Sequence, residues 1–530
     1  MEFDLTALPQ RLFGPDARRP GYLAARWLFL RALGLIFFSA FYSLLFQIRG
    51  LIGPHGLLPA QPYLAEVARV LGWGRFWYVP SVLWWSSGDR MLLALCVAGM
   101  ATSLLLALNI FPRGMLVVCL IAFLSFISAA QDFSSYQSDG MLLEAGFISL
   151  FFAPEGWRPG WGATEAPSRA SRYLLLWLWF RIYFESGVVK ILSGDPQWRN
   201  FTAMDEYYQN GPLPTWIGWY AQHLPHWFHA AAAFLTLALE LVLIFAAFLP
   251  RPARIGLFLL VTPWQIGIIL TSNYAFLNYL VLALGVLLLD DRFLSRILPQ
   301  DRLSADAPSS LATAGTFAPA AGWRNKLRLG IQGFFLTWIF YVTSVLLLGM
   351  FVPRPPLPVS PVRALEPFRI ANQFGLFAVM TRGRYEIEFQ GSRDGQTWTP
   401  YPFRYKPQDL RAAPGIYAPY QPRFDWNLWF ASLGGWRENL FVLQTEEKLL
   451  SGEPNVLQLF AGDPFQGQPP KQIRAILWQY WFTDWKDKRE QGVWWRREEV
   501  GLYAPTIERT PDGKLVVLEW PGTPASPSDR

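Results

Sequence analysis

Apolar runs recur along the first 352 positions of this chain and stop there. The clearest, 330–352, holds no charge and separates a basic stretch from a charged tail. A helix needs roughly 20 apolar residues to cross a hydrocarbon core, with about 17–25 the usual range. On that measure the pattern predicts spans near 24–47, 91–111, 114–131, 139–153, 172–192, 229–249, 255–270, 276–289 and 330–352. The run 255–289 is too long for one ordinary span, and Thr271-Ser-Asn-Tyr274 divides it. A tight hairpin follows, with a re-entrant pair as the competing reading.

Beyond 352 the period changes. Tyr385, Ile387 and Phe389 alternate with Glu386, Glu388 and Gln390, the mark of a half-buried antiparallel strand. Ser392-Arg-Asp-Gly395 supplies a turn, and further strands are predicted at 397–401, 475–483 and 514–520, with helical spacing over 438–450. The fold class is therefore a mainly α polytopic membrane helix bundle over 1–352. A C-terminal β-sandwich-like soluble domain with inserted helices occupies 353–530. The Pro-rich 352–361 segment reads as a stiff spacer, and the Ala/Ser/Pro-rich 300–322 as a flexible cytoplasmic loop.

Composition agrees: of 530 residues, 52% are hydrophobic and only 16% charged. Twenty-six tryptophans and twenty tyrosines suit aromatic belts at the headgroup level. The net charge of +7 does not point to nucleic acid, because the basic residues follow the spans instead of forming one patch. With a cytoplasmic N-terminus, the inside loops carry Arg11, Arg18, Arg19, Arg113, Arg158, Arg169, Arg172, Arg251 and Arg254. The 290–329 loop adds Arg292, Arg296, Arg302, Arg324, Lys326 and Arg328, against only Arg49, Arg69, Arg75, Arg90 and Arg199 outside. Nine spans then put the tail outside the cytoplasm. Residues 1–20 have no apolar core after their charges, so the first span is expected to act as an uncleaved insertion signal. The two cysteines, Cys96 and Cys119, both lie in apolar runs and leave the tail without a disulfide.

Charge inside spans is where chemistry would reside, because a mid-membrane charge costs at least about 2.5–3.5 kcal/mol. The span 172–192 carries Arg181, Glu185 and Lys190, with Arg181 and Glu185 four apart on one face. Lys190, near the outer end, reads as a snorkelling side chain or as a desolvated base. Asp132, Asp139 and Glu144 bracket the short fourth span and Glu240 sits in the sixth. They read as a polar network fixing helix packing or as the lining of a substrate cavity. His223, His226 and His229 have metal-like spacing, but Pro225 and the interfacial position favour a helix start, so no metal is assigned. No nucleophile elbow, phosphate-cradling loop or dinucleotide fingerprint is present, and no cofactor is implied.

Several stretches, in order along the chain, resemble the lipase maturation factor family. They include Leu51-Ile-Gly-Pro-His-Gly-Leu-Leu-Pro59, Gln131-Asp-Phe-Ser-Ser-Tyr-Gln-Ser-Asp-Gly-Met-Leu-Leu-Glu-Ala-Gly146 and Ser193-Gly-Asp-Pro-Gln-Trp-Arg-Asn200. Pro212-Leu-Pro214, Trp227-Phe-His229, Asn273-Tyr-Ala-Phe-Leu-Asn278 and Asn372-Gln-Phe-Gly-Leu-Phe377 continue the pattern. Gly391-Ser-Arg-Asp-Gly395, Ala418-Pro-Tyr-Gln-Pro-Arg-Phe-Asp-Trp426, Pro469-Pro470 and Trp494-Trp-Arg-Arg497 complete it. The resemblance implies a membrane-anchored, non-enzymatic factor whose 353–530 domain engages secreted, lipase-like clients, with membrane lipid as a further partner. In animals that means the endoplasmic reticulum with the domain in the lumen. The preference for Arg over Lys suggests a GC-rich bacterial source, for which the equivalent is the inner membrane and periplasm.

The membrane half is more distantly similar to vitamin K-dependent γ-carboxylase. Tyr183-Phe-Glu-Ser-Gly-Val-Val-Lys-Ile-Leu192 resembles the segment holding that enzyme's basic lysine, which falls on Lys190. Near Ser138–Asp139, where the enzyme has a histidine, this chain has none. What the likeness implies is a shared fold with a hydrophobic cavity. Its enzymatic form, a base at Lys190 with Glu185 and Asp139 acting on a lipid- or quinone-like substrate, is the alternative function.

Overall fold

The computed structural model describes residues 12–13, 21–134, 136–162, 166–297 and 323–522, so the 300–322 loop and Arg11, Arg18, Arg19 and Arg302 lie outside the described residues. Each of the nine apolar segments is helical: α1 Leu23–Leu45, α2 Asp89–Ala107, α3 Pro112–Ala129, α4 Gln137–Phe152, α5 Arg169–Leu192, α6 His226–Leu241, α7 Arg251–Thr271, α8 Leu277–Gly285 and α9 Trp323–Gly349. Among the described residues, six helical segments are long and apolar enough to cross a membrane unaided: α1, α2, α3, α6 with its 3₁₀ extension to Phe248, α7 and α9. The other three are short (α4, α8) or charged (α5), and they pack inside the bundle, where neighbouring helices supply what their sequences lack.

Contacts between helix ends show that the chain passes to and fro. Asp291 accepts the Leu23 and Ala24 amides at 2.9 Å, so the start of α1 lies beside the end of α8. Arg113 pairs with Glu155, Arg328 reaches the same carboxylate at 2.8 Å, and Arg251 holds Asp290 at 2.5 Å. The arginine-bearing loops thus gather at one end. At the other end, Gln47 donates to the Gln421 carbonyl at 2.9 Å and Asn427 to that of Asp132 at 3.0 Å. The tail sits there. α7 and α8 run from one end to the other and back, so the 255–289 run is a hairpin whose turn is capped by Asn273.

The tail holds one antiparallel sheet in the order β2-β1-β3-β4-β5, with β1 Arg384–Ser392, β2 Thr399–Pro400, β3 Gln472–Phe482, β4 Trp495–Arg509 and β5 Leu515–Glu519. The facing layer is made by the inserted helices α10 Arg423–Ser432 and α11 Phe441–Leu450, which pack on β1 and on β3 and β4. Ile387 and Phe389 enter that core fully buried, and Phe460 joins Phe389 and Phe424 there.

Two expectations change. β1 was expected to be half-buried, yet Glu386, Glu388 and Gln390 are buried too. Their face is covered by the 401–410 loop, whose Lys406 pairs with Glu386 at 2.8 Å while Gln408 binds Glu388 at 3.0 Å. The Pro-rich 352–361 segment does not hold the tail away from the bundle. It folds back along α9, where Tyr341 and Trp338 donate to the Pro358 and Pro361 carbonyls at 2.8 and 3.0 Å.

Candidate functional site

α5 is buried along one side by its neighbours, which places Arg181, Glu185, Ser186 and Lys190 in a row with 2% exposure or less. In hydrocarbon such groups must find partners. Arg181 pairs with Glu144 of α4 and lies 3.8 Å from Glu185. Lys190 Nζ contacts Glu240 Oε1 and Oε2 of α6 at 3.0 and 2.8 Å. The close approach of α5 and α6 needs Gly187, where a Cβ would sit 2.8 Å from Glu240 Cβ.

Much of the rest of their hydrogen-bonding capacity is taken by the tail, although Arg181 Nε and Glu185 Oε1 make no hydrogen bond. Residues 372–384 form a strap laid across the bundle, and its main chain is bound almost atom by atom. Arg181 donates to the Asn372 carbonyl at 2.6 Å, while Glu144 accepts the Asn372 amide at 2.9 Å. Glu185 accepts the Phe374 amide at 2.6 Å and Ser186 that of Leu376 at 3.2 Å. Lys190 donates to the Leu376 carbonyl at 3.0 Å, and Trp198 to that of Phe377 at 3.0 Å. Asp195 accepts the Met380 amide at 2.7 Å, and Arg384 donates to the carbonyls of Gln209 and Pro212 at 3.0 and 3.1 Å. The strap approaches α4 closely enough that a Cβ on Gly140 would lie 2.8 Å from Asn372 Oδ1.

A second anchor joins α10 to α4. Asp139 and Arg423, each at most 1% exposed, form a bidentate pair with both contacts at 2.8 Å. Arg423 also donates to the Phe133 carbonyl at 2.7 Å. Asn273 forms the third, giving a hydrogen bond to the Gly415 carbonyl at 2.9 Å and accepting the Tyr417 and Ala418 amides at 2.6 and 2.9 Å.

Lys190, Glu185 and Asp139 are therefore not brought together around one reacting point. Glu185 and Lys190 hold different points of the strap, and Asp139 belongs to the second anchor. Lys190 does not snorkel: it is 2% exposed, and two carboxylate oxygens and two carbonyls, those of Leu376 and Ser186, surround its three N–H groups. Nothing in this arrangement supports the base reading. Glu144, Arg181 and Glu240 join the buried network, whereas Asp132, in the turn between α3 and α4, is exposed. The histidines diverge: His223 contacts the Trp219 and Thr483 carbonyls, His226 contacts Asp205, and His229 is buried beside Tyr208. Among the described residues no group of three or more His, Cys, Asp or Glu could hold a metal ion.

Residues that matter here but drew no candidate role from sequence are Asp195, Asn273, Asn372, Arg384 and Arg423. Four of the five lie in the motifs carrying the family resemblance, which was the available signal. The description of the lipase maturation factor transmembrane domain matches residues 24–296, and that of the family's C-terminal domain matches 370–505. The chain belongs to the lipase maturation factor family. Lipase maturation factor 2 of Gallus gallus is 31% identical over 614 residues, covering 95% of this chain and 84% of that protein. Lipase maturation factor 1 of Bos taurus is 30% identical over 549 residues, covering 98% and 94%. For lipase maturation factor 2 of Homo sapiens the figures are 30% over 592 residues, 91% and 82%. No solved structure matches the chain. In this family member the C-terminal match begins two residues before the strap, so the segment that docks the tail falls inside the family's C-terminal domain.

Proposed function

We propose that this lipase maturation factor homologue is a membrane-anchored folding factor for exported, lipase-like proteins, with its tail on the extracytoplasmic side. The arginine-rich end of the bundle is then the cytoplasmic face. The compartment is the endoplasmic reticulum lumen in a eukaryote or the periplasm in a bacterium. The observation that carries this reading is β5. It is an edge strand at the far side of the sheet from β1, and among the described residues no strand pairs with its outer edge. Its side chains stay exposed on both faces, from Val517 at 36% to Leu518 at 50%, with Trp520 beyond it at 61%. Proteins normally blunt such an edge, because it invites strand addition by another chain. An incompletely folded client supplies the extended apolar segment that this edge accepts, and main-chain pairing asks little of client sequence. The bundle holds the sheet rigidly for that encounter.

The test places a photocrosslinking residue at Val517 and co-expresses a secreted lipase. The expected adduct contains the lipase before it becomes active, and Val517→Lys abolishes both adduct and secreted lipase activity at unchanged protein level. Cysteine labelling adds the topology, since Cys96 and Cys119 are both buried and leave a low background. Undiminished lipase activity in the variant, or labelling of the tail only from the cytosol, refutes the proposal.

A further inference from the structure

Beside the Lys190–Glu240 pair lies a cavity of about 310 Å³, enclosed by α5, α6, α7, α8 and the strap. Most of its wall is apolar, including Phe228 and Ala232 of α6 and Ile268 of α7. It reaches the outer surface of the bundle between α6 and α7, where the lining residues Phe228, Pro263 and Gly267 are themselves exposed. A Cβ on Gly267 would meet no atom within 4 Å, so that gap is open.

Two buried amides in the wall each leave one polar atom without a partner. Gln265, 6% exposed, gives its Nε2 to the Tyr183 hydroxyl at 2.7 Å and leaves Oε1 unbonded. Asn278, 5% exposed, has an unbonded Nδ2. Buried polar atoms without partners cost about 1–3 kcal/mol each, so native structures seldom keep them unless something else binds there. Among the described residues the charges in the wall are Lys190 and Glu240, which already neutralise each other. A charged head group entering here would be desolvated without a counter-charge.

We propose that this cavity is a binding site for a neutral single-chain lipid that enters from the bilayer between α6 and α7. Its acyl chain occupies the apolar wall. Its head brings an acceptor for the Asn278 N–H and a donor for the Gln265 oxygen, as a monoacylglycerol does with its ester carbonyl and hydroxyls. Ligand pockets run from about 300 to 1,000 Å³, so a cavity at the low end admits one chain, not the two of a phospholipid. The lipid would brace the α5–α6 pair that holds the strap, with no chemistry performed on it.

The test uses the full chain in detergent and a monoacylglycerol bearing a diazirine in its acyl chain. Irradiation should give saturable labelling on α6 and α7. Unlabelled monoacylglycerol should compete about tenfold or more better than phosphatidylcholine or a fatty-acid anion. Gly267→Leu, which fills the mouth, and Asn278→Leu, which removes the interior donor, should each weaken labelling about tenfold with thermal unfolding unchanged. If Gly267→Leu does not fold, the competition series on the unmodified chain and Asn278→Leu decide the matter. Labelling that does not saturate, equal competition by phosphatidylcholine, or label placed elsewhere overturns the proposal.

Discussion

Exchanging Arg423 for Met should loosen the tail from the bundle while leaving both parts folded. Arg423 and Asp139 are buried, their two contacts at 2.8 Å are parallel, and 284 residues of chain separate them. Removing one member of a buried pair strands the other charge, at a cost of about 3–5 kcal/mol. At about 1.4 kcal/mol per decade this is roughly two to four decades in the docking equilibrium. Undocking is a sub-global opening, so it is read from hydrogen exchange at the amides of α10 and at 372–384. Protection there should fall by that factor. Combining Arg423→Met with Asp139→Leu removes both charges, and a buried pair replaced by apolar groups is often nearly neutral. The double variant should therefore recover to within about tenfold of the parent, the residue of the loss being the bond to the Phe133 carbonyl. Equal protection in the single and double variants, or a change of under about threefold in the single, would refute the electrostatic anchor.

Truncation after Val352 should yield aggregated protein on size-exclusion chromatography, because it strips the strap from Glu144, Arg181, Glu185 and Lys190. A monodisperse product as heat-stable as the full chain would contradict this. Gly140→Leu should disturb the strap without touching any charge, since its side chain would displace Asn372, and proteolysis of the tail should accelerate. Within the tail, burial pushes the Asp425 carboxyl up to about 7, with Lys406 opposing and Glu386 adding to the rise. The folded state thus holds this proton more tightly than the unfolded chain, whose carboxyl has the ordinary value of 3.8. Stability from this group is complete below about pH 4 and is lost as pH rises toward about 7, by at most about 1.4 kcal/mol per unit. Asp425→Asn should flatten unfolding measured over that window, and an unchanged slope would exclude Asp425 as the source.

Tertiary placement explains what sequence missed. β1, β3 and β5 announce themselves by alternation or β-branched runs, but β4 does not. It begins Trp495-Arg-Arg-Glu-Glu499 and contains Gly501 and Pro505, which reads as a break in the pattern. It forms because β3 offers a long template, with shifts of register absorbing the irregular residues. α10 lacks a polar stripe for the opposite reason: α4, β1 and Phe460 enclose it on several sides.

By itself the sequence determined the helical passes, the arginine-marked end, the change to strand periodicity after residue 352 and the family. These are local properties, set by how many consecutive residues tolerate hydrocarbon and by side-chain alternation. It also showed that Arg181, Glu185, Lys190 and Asp139 needed partners. Only the tertiary structure decided which. The answer lay in Glu144 and Glu240, in main-chain amides and carbonyls of 372–384 and in an arginine at 423, and backbone groups, identical at nearly every position, leave no signature in a sequence until folding brings them within about 3 Å of a charge.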